Sequence, residues 1–174
     1  MPFVMTTAAS RGPMPEELIA AIKTSGRGLI LPWAPQVAVL MHPATGWMLS
    51  HCGAGGIYEA LSQGVPLICW PHVADQQPNA SFIVDVVGAG FELLQVRTGP
   101  AATRAYRGGP DGTKIVGTDE AVKEEIQTVI NACRGGEGAG KREAAKRAQK
   151  AIQAYMVPGG PAFDELEGLR HFIV

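Results

Sequence analysis

Short apolar runs alternate with stretches of helical period along the first half of the chain. Phe3-Val4-Met5-Thr6 reads as a strand, and Leu18, Ile19 and Ile22 fall on one face of a helix over about 15–24. The spacing then predicts a strand at 28–31, a short helix at 36–41 behind Pro35, and a third strand at 47–50. A glycine-rich turn at 51–56 leads into a helix over about 57–63 that stops at Gly64. Residues 66–70 form a continuous apolar run, the mark of a strand covered on both faces. A helix at 74–87 closes at Gly88, and 91–94 is the last strand of the series. Such alternation implies an α/β fold, a Rossmann-like parallel sheet with flanking helices, in which ligands bind beyond the carboxyl ends of the strands.

Gly, Pro and Thr crowd residues 97–117, which read as a loop insertion. Thr118 is a natural N-cap, and Val122, Ile126, Val129 and Ile130 form one apolar stripe behind it. A second helix at about 141–155, a break at Pro158-Gly159-Gly160-Pro161 and a last helix through Leu166 and Phe172 make 118–174 a run of C-terminal helices. With 174 residues, 46% hydrophobic and 18% charged, the chain 1–174 is expected to form a single domain.

A net charge of −1 gives none of the clustered positive field that nucleic acid or an anionic membrane surface requires. The one basic run, Lys141, Arg142, Lys146, Arg147 and Lys150, has helical spacing and reads as a solvated face. Cys52, Cys69 and Cys133 show neither zinc-site spacing nor a disulfide framework, so no metal is expected and the expected location is cytoplasmic. The N-terminus lacks a secretory pattern, and no stretch approaches the roughly 20 apolar residues of a membrane span. Asn79-Ala80-Ser81 fits a glycosylation acceptor in form only, since it falls inside an expected helix.

Strand, then Gly53-Ala54-Gly55-Gly56, then helix is an arrangement that attracts phosphate, through unpaired amides and the helix dipole. A dinucleotide fingerprint would need glycine where Tyr58 stands and an acidic residue within 67–71, which has none. A phosphate loop of an NTPase would need lysine where Ile57, Tyr58 and Glu59 stand. Neither reading fits.

The surroundings of the turn read Trp33-Ala34-Pro35-Gln36, His42, Gly46, His51-Cys52-Gly53, Glu59-Ala60, Gly64-Val65-Pro66, Pro71 and Asp75-Gln76. This block, 33–76, resembles without a gap the signature of family 1 UDP-glycosyltransferases, and Met14-Pro15-Glu16-Glu17-Leu18 resembles the segment ahead of it. The resemblance implies the C-terminal, donor-binding half of a two-domain GT-B glycosyltransferase, with a UDP-sugar as donor substrate and no other cofactor. It implies that Trp33 stacks on uracil and that Gln36 contacts the base or ribose, tasks that suit a planar indole and an amide. It further implies that His51 donates to the diphosphate beside Gly53, Gly55 and Gly56, that Glu59 accepts from the ribose hydroxyls, and that Asp75 and Gln76 grip the sugar. Without the resemblance, Trp33 would read as a core tryptophan, Glu59 as a partner of the helix dipole and Asp75-Gln76 as a helix cap.

Plant-type members carry Trp-Asn-Ser where Ala54-Gly55-Gly56 stands, and animal members commonly carry Ala-Asn-Gly, so Gly55 replaces an asparagine and offers only its backbone amide. The chain is expected to start at the equivalent of the donor domain's second strand. The family's acceptor domain, which holds a histidine base and its aspartate, then falls outside it, and no catalytic residue is nominated. The expected activity is hexosyl transfer, glucosyl by the cue of Gln76, to a small hydroxylated acceptor of phenolic, sterol or lipid type. The alternatives are a non-catalytic nucleotide-sugar-binding fragment or subunit that needs an acceptor-domain partner chain, and an epimerase or hydrolase of the same fold.

Overall fold

The computed structural model describes residues 1–7, 12–99, 102–105, 107 and 110–172. The chain divides into two compact units, Met1–Val39 and Leu40–Val174, which are taken in turn.

In the first unit β1 (Phe3–Thr6) and β2 (Gly28–Leu31) pair in parallel, with Phe3 opposite Gly28 and Thr6 opposite Leu31. The connection between them contains α1 (Glu16–Ser25), which carries Glu16 and Glu17 in its first turn and Lys23 in its last, as the helix dipole favours. It stops at Gly26, which takes the left-handed conformation at φ 63°. A Cβ on Gly28 would come within 2.4 Å of Ile22 Cγ2 and 2.5 Å of Phe3 Cζ, so this glycine lets α1 and the Phe3 ring lie against β2. α2 (Gln36–Met41) runs from this unit into the next.

The second unit is built on a parallel sheet of β3 (Met48–Ser50), β4 (Leu67–Cys69) and β5 (Gly90–Glu92), with β4 at its centre. Alternate residues of β4 point to opposite faces. Leu67 and Cys69 join one buried cluster with Ala60 and Leu61 of α3 (Ala54–Ser62), Ala80 of α4 (Gln76–Ser81) and Ala144 and Ala145 of α6 (Gly136–Tyr155). Ile68 joins a second cluster with Leu93, Val96, and Val129 and Cys133 of α5 (Asp119–Arg134). The expected two-sided cover of this strand is therefore present, and the stripe of Val122, Ile126 and Val129 supplies part of it.

Two helices begin earlier than the sequence suggests. α3 starts at Ala54 and α6 at Gly136, because packing overrides the poor helix propensity of Gly55, Gly56, Gly136, Gly138 and Gly140. Gly138 is the instructive case: a Cβ there would lie 2.4 Å from the Cys133 carbonyl oxygen, so the α5–α6 junction closes only on glycine. The helix expected at 74–87 is α4 followed by a π-helical stretch, Phe82–Val87, closed by Gly88 at φ 73°. Thr118 caps α5 as expected, its Oγ1 accepting from the Ala121 amide at 3.3 Å. Within 97–117 a short antiparallel pair, β6 (Arg104–Ala105) and β7 (Thr113–Lys114), stands where only loop was expected; residues 100, 101, 106, 108 and 109 lie outside the described residues. α7 (Pro161–Leu169) and a 3₁₀ turn, Arg170–Phe172, end the description.

The glycines divide into required and dispensable ones, which gives a paired test. A Cβ on Gly90 would meet the Leu67 carbonyl oxygen at 2.8 Å and Ile83 Cγ2 at 2.9 Å, whereas nothing lies within 4 Å of one on Gly140. Gly90→Ala should destabilise the chain by about 1–3 kcal/mol through overpacking. Gly140→Ala should stabilise it by about 0.5–1 kcal/mol by removing helix-interior flexibility. Denaturant midpoints of the two variants check both signs.

Candidate functional site

Ser50, Cys69 and Glu92 stand in register at the carboxyl ends of β3, β4 and β5. Beyond Ser50 the chain turns through His51-Cys52-Gly53 into α3. Cys52 is wholly buried and sits in the left-handed region at φ 66°, which a side chain other than glycine seldom adopts. It is held from both sides: its amide donates to Ser50 Oγ at 3.0 Å, and its carbonyl accepts from Asn79 Nδ2 at 3.0 Å. Gly53 is the N-cap of α3 and has no side chain to cap with, so the cap residue itself leaves the first-turn amides free for other partners.

The His51 ring lies across this turn. A Cβ on Gly53 would come within 2.5 Å of His51 Nε2, so glycine at 53 is what allows the exposed imidazole to sit beside the amino end of α3. Gly55 and Gly56 follow in the first helical turn. A Cβ on Gly55 would meet nothing within 4 Å, and one on Gly56 would make ordinary contacts with Ser50 Oγ at 3.6 Å and Met48 Cε at 3.7 Å. Both keep negative φ, so the left-handed residue of the turn is Cys52 and neither of these glycines. Glu59 is half-buried further along α3.

A second loop, 72–76, is closed by Gln76. Its Oε1 accepts from the amides of His72 at 2.9 Å and Val73 at 3.0 Å. Because both partners are N–H donors, the carbonyl end of Gln76 must face them and its NH₂ points elsewhere. Asp75 occupies the N-cap position of α4 without capping it. Its Oδ2 instead accepts from Asn79 Nδ2 at 2.9 Å, so the plain helix-cap reading of this carboxylate is overturned. Asn79 was not singled out as a site residue; the signal available in the sequence was its place four residues after Asp75, on the same helix face. It lines a recess of about 180 Å³ together with Ala54, Ile57, Tyr58 and Phe82.

In the first unit, Trp33 lies between β2 and α2 and is 67% exposed, which removes the core-tryptophan reading. Gln36 is the first residue of α2. The remaining expected site residues all belong to the second unit. His72 stacks on Trp70 with ring centroids 6.0 Å apart, and His42 Nδ1 accepts from the Ala44 amide at 3.2 Å.

Beneath the turn, Cys52 and Cys69 are free and buried. Interaction with the Cys52 thiol, together with burial, pushes the Cys69 pKa far above the usual thiol range. Burial likewise pushes the Cys133 thiol up to about 11. At the end of β5 the Glu92 side chain, 3% exposed, pairs with Arg97 at 2.8 Å and with Arg107. Arg107 also reaches Asp85 at 2.6 Å and Ser81, and its guanidinium holds the Asp85 carboxyl below the usual range. Among the described residues no group of three His, Cys, Asp or Glu side chains is arranged to hold a metal ion, and no helix is long and apolar enough to cross a membrane.

A family model described as "UDP-glucoronosyl and UDP-glucosyl transferase" matches residues 10–100. UDP-glycosyltransferase eriJ of Hericium erinaceus is 41% identical over 133 residues, covering 75% of this chain and 26% of that protein. An anthocyanidin 3-O-glucosyltransferase of Zea mays is 34% identical over 162 residues, 91% of this chain and 29% of the enzyme. The crystal structure of Os79 from O. sativa, in complex with UDP and deoxynivalenol-3-glucoside, superposes with a TM-score of 0.74 at 27% identity, over 97% of this chain and 34% of that one. The chain spans about a quarter to a third of the length of these relatives. With the family model matching more than half of its residues and the same α/β architecture running through nearly all of it, the chain belongs to the UDP-glucoronosyl and UDP-glucosyl transferase family.

Proposed function

We propose that the chain is the donor-binding half of a UDP-sugar-dependent glycosyltransferase, which moves a hexosyl group, glucosyl, to a small hydroxylated acceptor of phenolic, sterol or lipid type. The observation that carries this reading is the amino end of α3, whose N-cap Gly53 has no side chain to occupy the first-turn amides and which is flanked by His51, at the carboxyl edge of a parallel sheet. A diphosphate is the ligand such an end suits, since backbone amides, the helix dipole and an imidazole N–H all favour oxyanions. The same donors favour transfer, because negative charge grows on the diphosphate as the sugar leaves.

Glu59 supplies the pure acceptor that ribose hydroxyls need, and the exposed Trp33 and Gln36 serve the uracil and ribose on the strength of the family resemblance. At the sugar, Asp75 offers a carboxylate and Gln76 its NH₂, an acceptor and a donor side by side. The base that deprotonates the acceptor hydroxyl is assigned to the acceptor domain. Three free buried thiols support a cytoplasmic setting.

Calorimetric titration of the chain should show UDP binding. Glu59→Ala should weaken it by about 1–3 kcal/mol, the cost of leaving a hydrogen-bonding partner unsatisfied; unchanged affinity in a folded variant rejects the ribose role. Gly55 offers open space and a negative φ, so Gly55→Asn should be accommodated and should tighten UDP-glucose more than UDP. Equal effects on both ligands would remove the sugar-side role of this position. Glycoside formation from UDP-glucose should require mixing the chain with an acceptor-domain polypeptide. Binding without transfer in that mixture favours a non-catalytic nucleotide-sugar-binding subunit, and transfer by the chain alone rejects the assignment of the base.

A further inference from the structure

Asn79 is the only described side chain that hydrogen-bonds both the turn before α3 and the start of α4. Its NH₂ has two hydrogens and both are committed, one to the Cys52 carbonyl at 3.0 Å and one to Asp75 Oδ2 at 2.9 Å. Both partners are acceptors, which fixes the amide orientation without ambiguity. We propose that Asn79 is a positioning residue that couples sugar recognition at Asp75 to the diphosphate turn at Cys52 and Gly53. The proposal rests on the donor-site reading given above and adds a residue and a linkage to it.

The linkage runs through the Cys52–Gly53 peptide. Its bond is trans, so the Cys52 carbonyl and the Gly53 N–H point in opposite directions. Whatever anchors the carbonyl therefore aims the N–H. Cys52 holds a left-handed conformation that a non-glycine residue keeps only when its surroundings enforce it, and its backbone is held by Ser50 Oγ at the amide and by Asn79 at the carbonyl. Ser50 belongs to β3 and is buried, a fixed support. Asn79 leans on Asp75, an exposed carboxylate whose engagement changes when a sugar hydroxyl arrives. A sugar that draws Asp75 into place also steadies the Asn79 amide, and through it the direction of the Gly53 N–H. The side chain that reads the sugar and the turn that holds the leaving group are thus one mechanical unit.

The test uses the 174-residue chain and two substitutions, Asp75→Ala and Asn79→Asp, the second keeping shape while replacing the donor by an acceptor. Asp75→Ala should lower affinity for UDP about threefold, although UDP lacks the transferred hexosyl group, and should have no such effect in the Asn79→Asp background, where the linkage is already cut. Asn79→Asp alone should cost UDP about tenfold. In the ligand-free chain the Gly53 amide resonance should move on Asp75→Ala when Asn79 is present and stay in place when it is not; Asn79→Ala provides the same background should the aspartate variant fold poorly. An Asp75→Ala effect on UDP that is equal with and without Asn79, or a Gly53 amide indifferent to Asp75, overturns the coupling. Failure of the unaltered chain to bind UDP or UDP-glucose would instead strike the donor-site reading, and the Gly53 amide would still decide the linkage by itself.

Discussion

The left-handed residue at Cys52 is the constraint on which the candidate site depends. A strand that ends at Ser50 must reverse into α3 within three residues, and the chain does so by placing a non-glycine residue where glycine is the usual choice. Its side chain is buried and small, its amide is taken by the hydroxyl two residues earlier, and its carbonyl by Asn79. Everything downstream follows from that turn: Gly53 under the His51 ring, the uncapped first turn of α3, and the direction in which its amides face.

The core beneath mixes aliphatic side chains such as Leu67 and Ile83 with several small ones. Cys52, Cys69, Ala80, Ala144 and Ala145 share one close-packed buried cluster with β4 and the helices α3, α4 and α6, and the turn sits on it. The two free thiols behave as compact apolar groups. α5 closes the opposite face and is fastened to the sheet by Glu125, whose two carboxylate oxygens accept from the amides of Leu94 and Gln95 at 2.7 and 2.9 Å.

The strand and helix series was readable because each element carried its own period, and the family block was readable because its residue types recur at fixed spacing. What escaped were features set by tertiary contact. Glycines in the first turns of α3 and α6 argued against helix locally, yet Gly138 is there because the Cys133 carbonyl leaves no room for a side chain. Asn79 looked like an ordinary helix residue in a chance tripeptide; its role becomes visible only when Cys52, distant in sequence, is brought beside it. Gln76 was expected at the sugar, but that its carbonyl end is spent on two backbone amides is a fact of loop geometry.

The ion cluster at the end of β5 bears on how this domain could be recombined with its relatives. Glu92 lies almost out of water between Arg97 and Arg107, and Arg107 is shared with Asp85. A buried charge stripped of its partner costs far more than an absent pair. The segment holding Arg107 therefore cannot be grafted onto another scaffold, or replaced here, one residue at a time: Asp85, Glu92, Arg97 and Arg107 travel as a set, and any chimera that splits them inherits an orphaned charge a single strand away from the thiol pair under the turn.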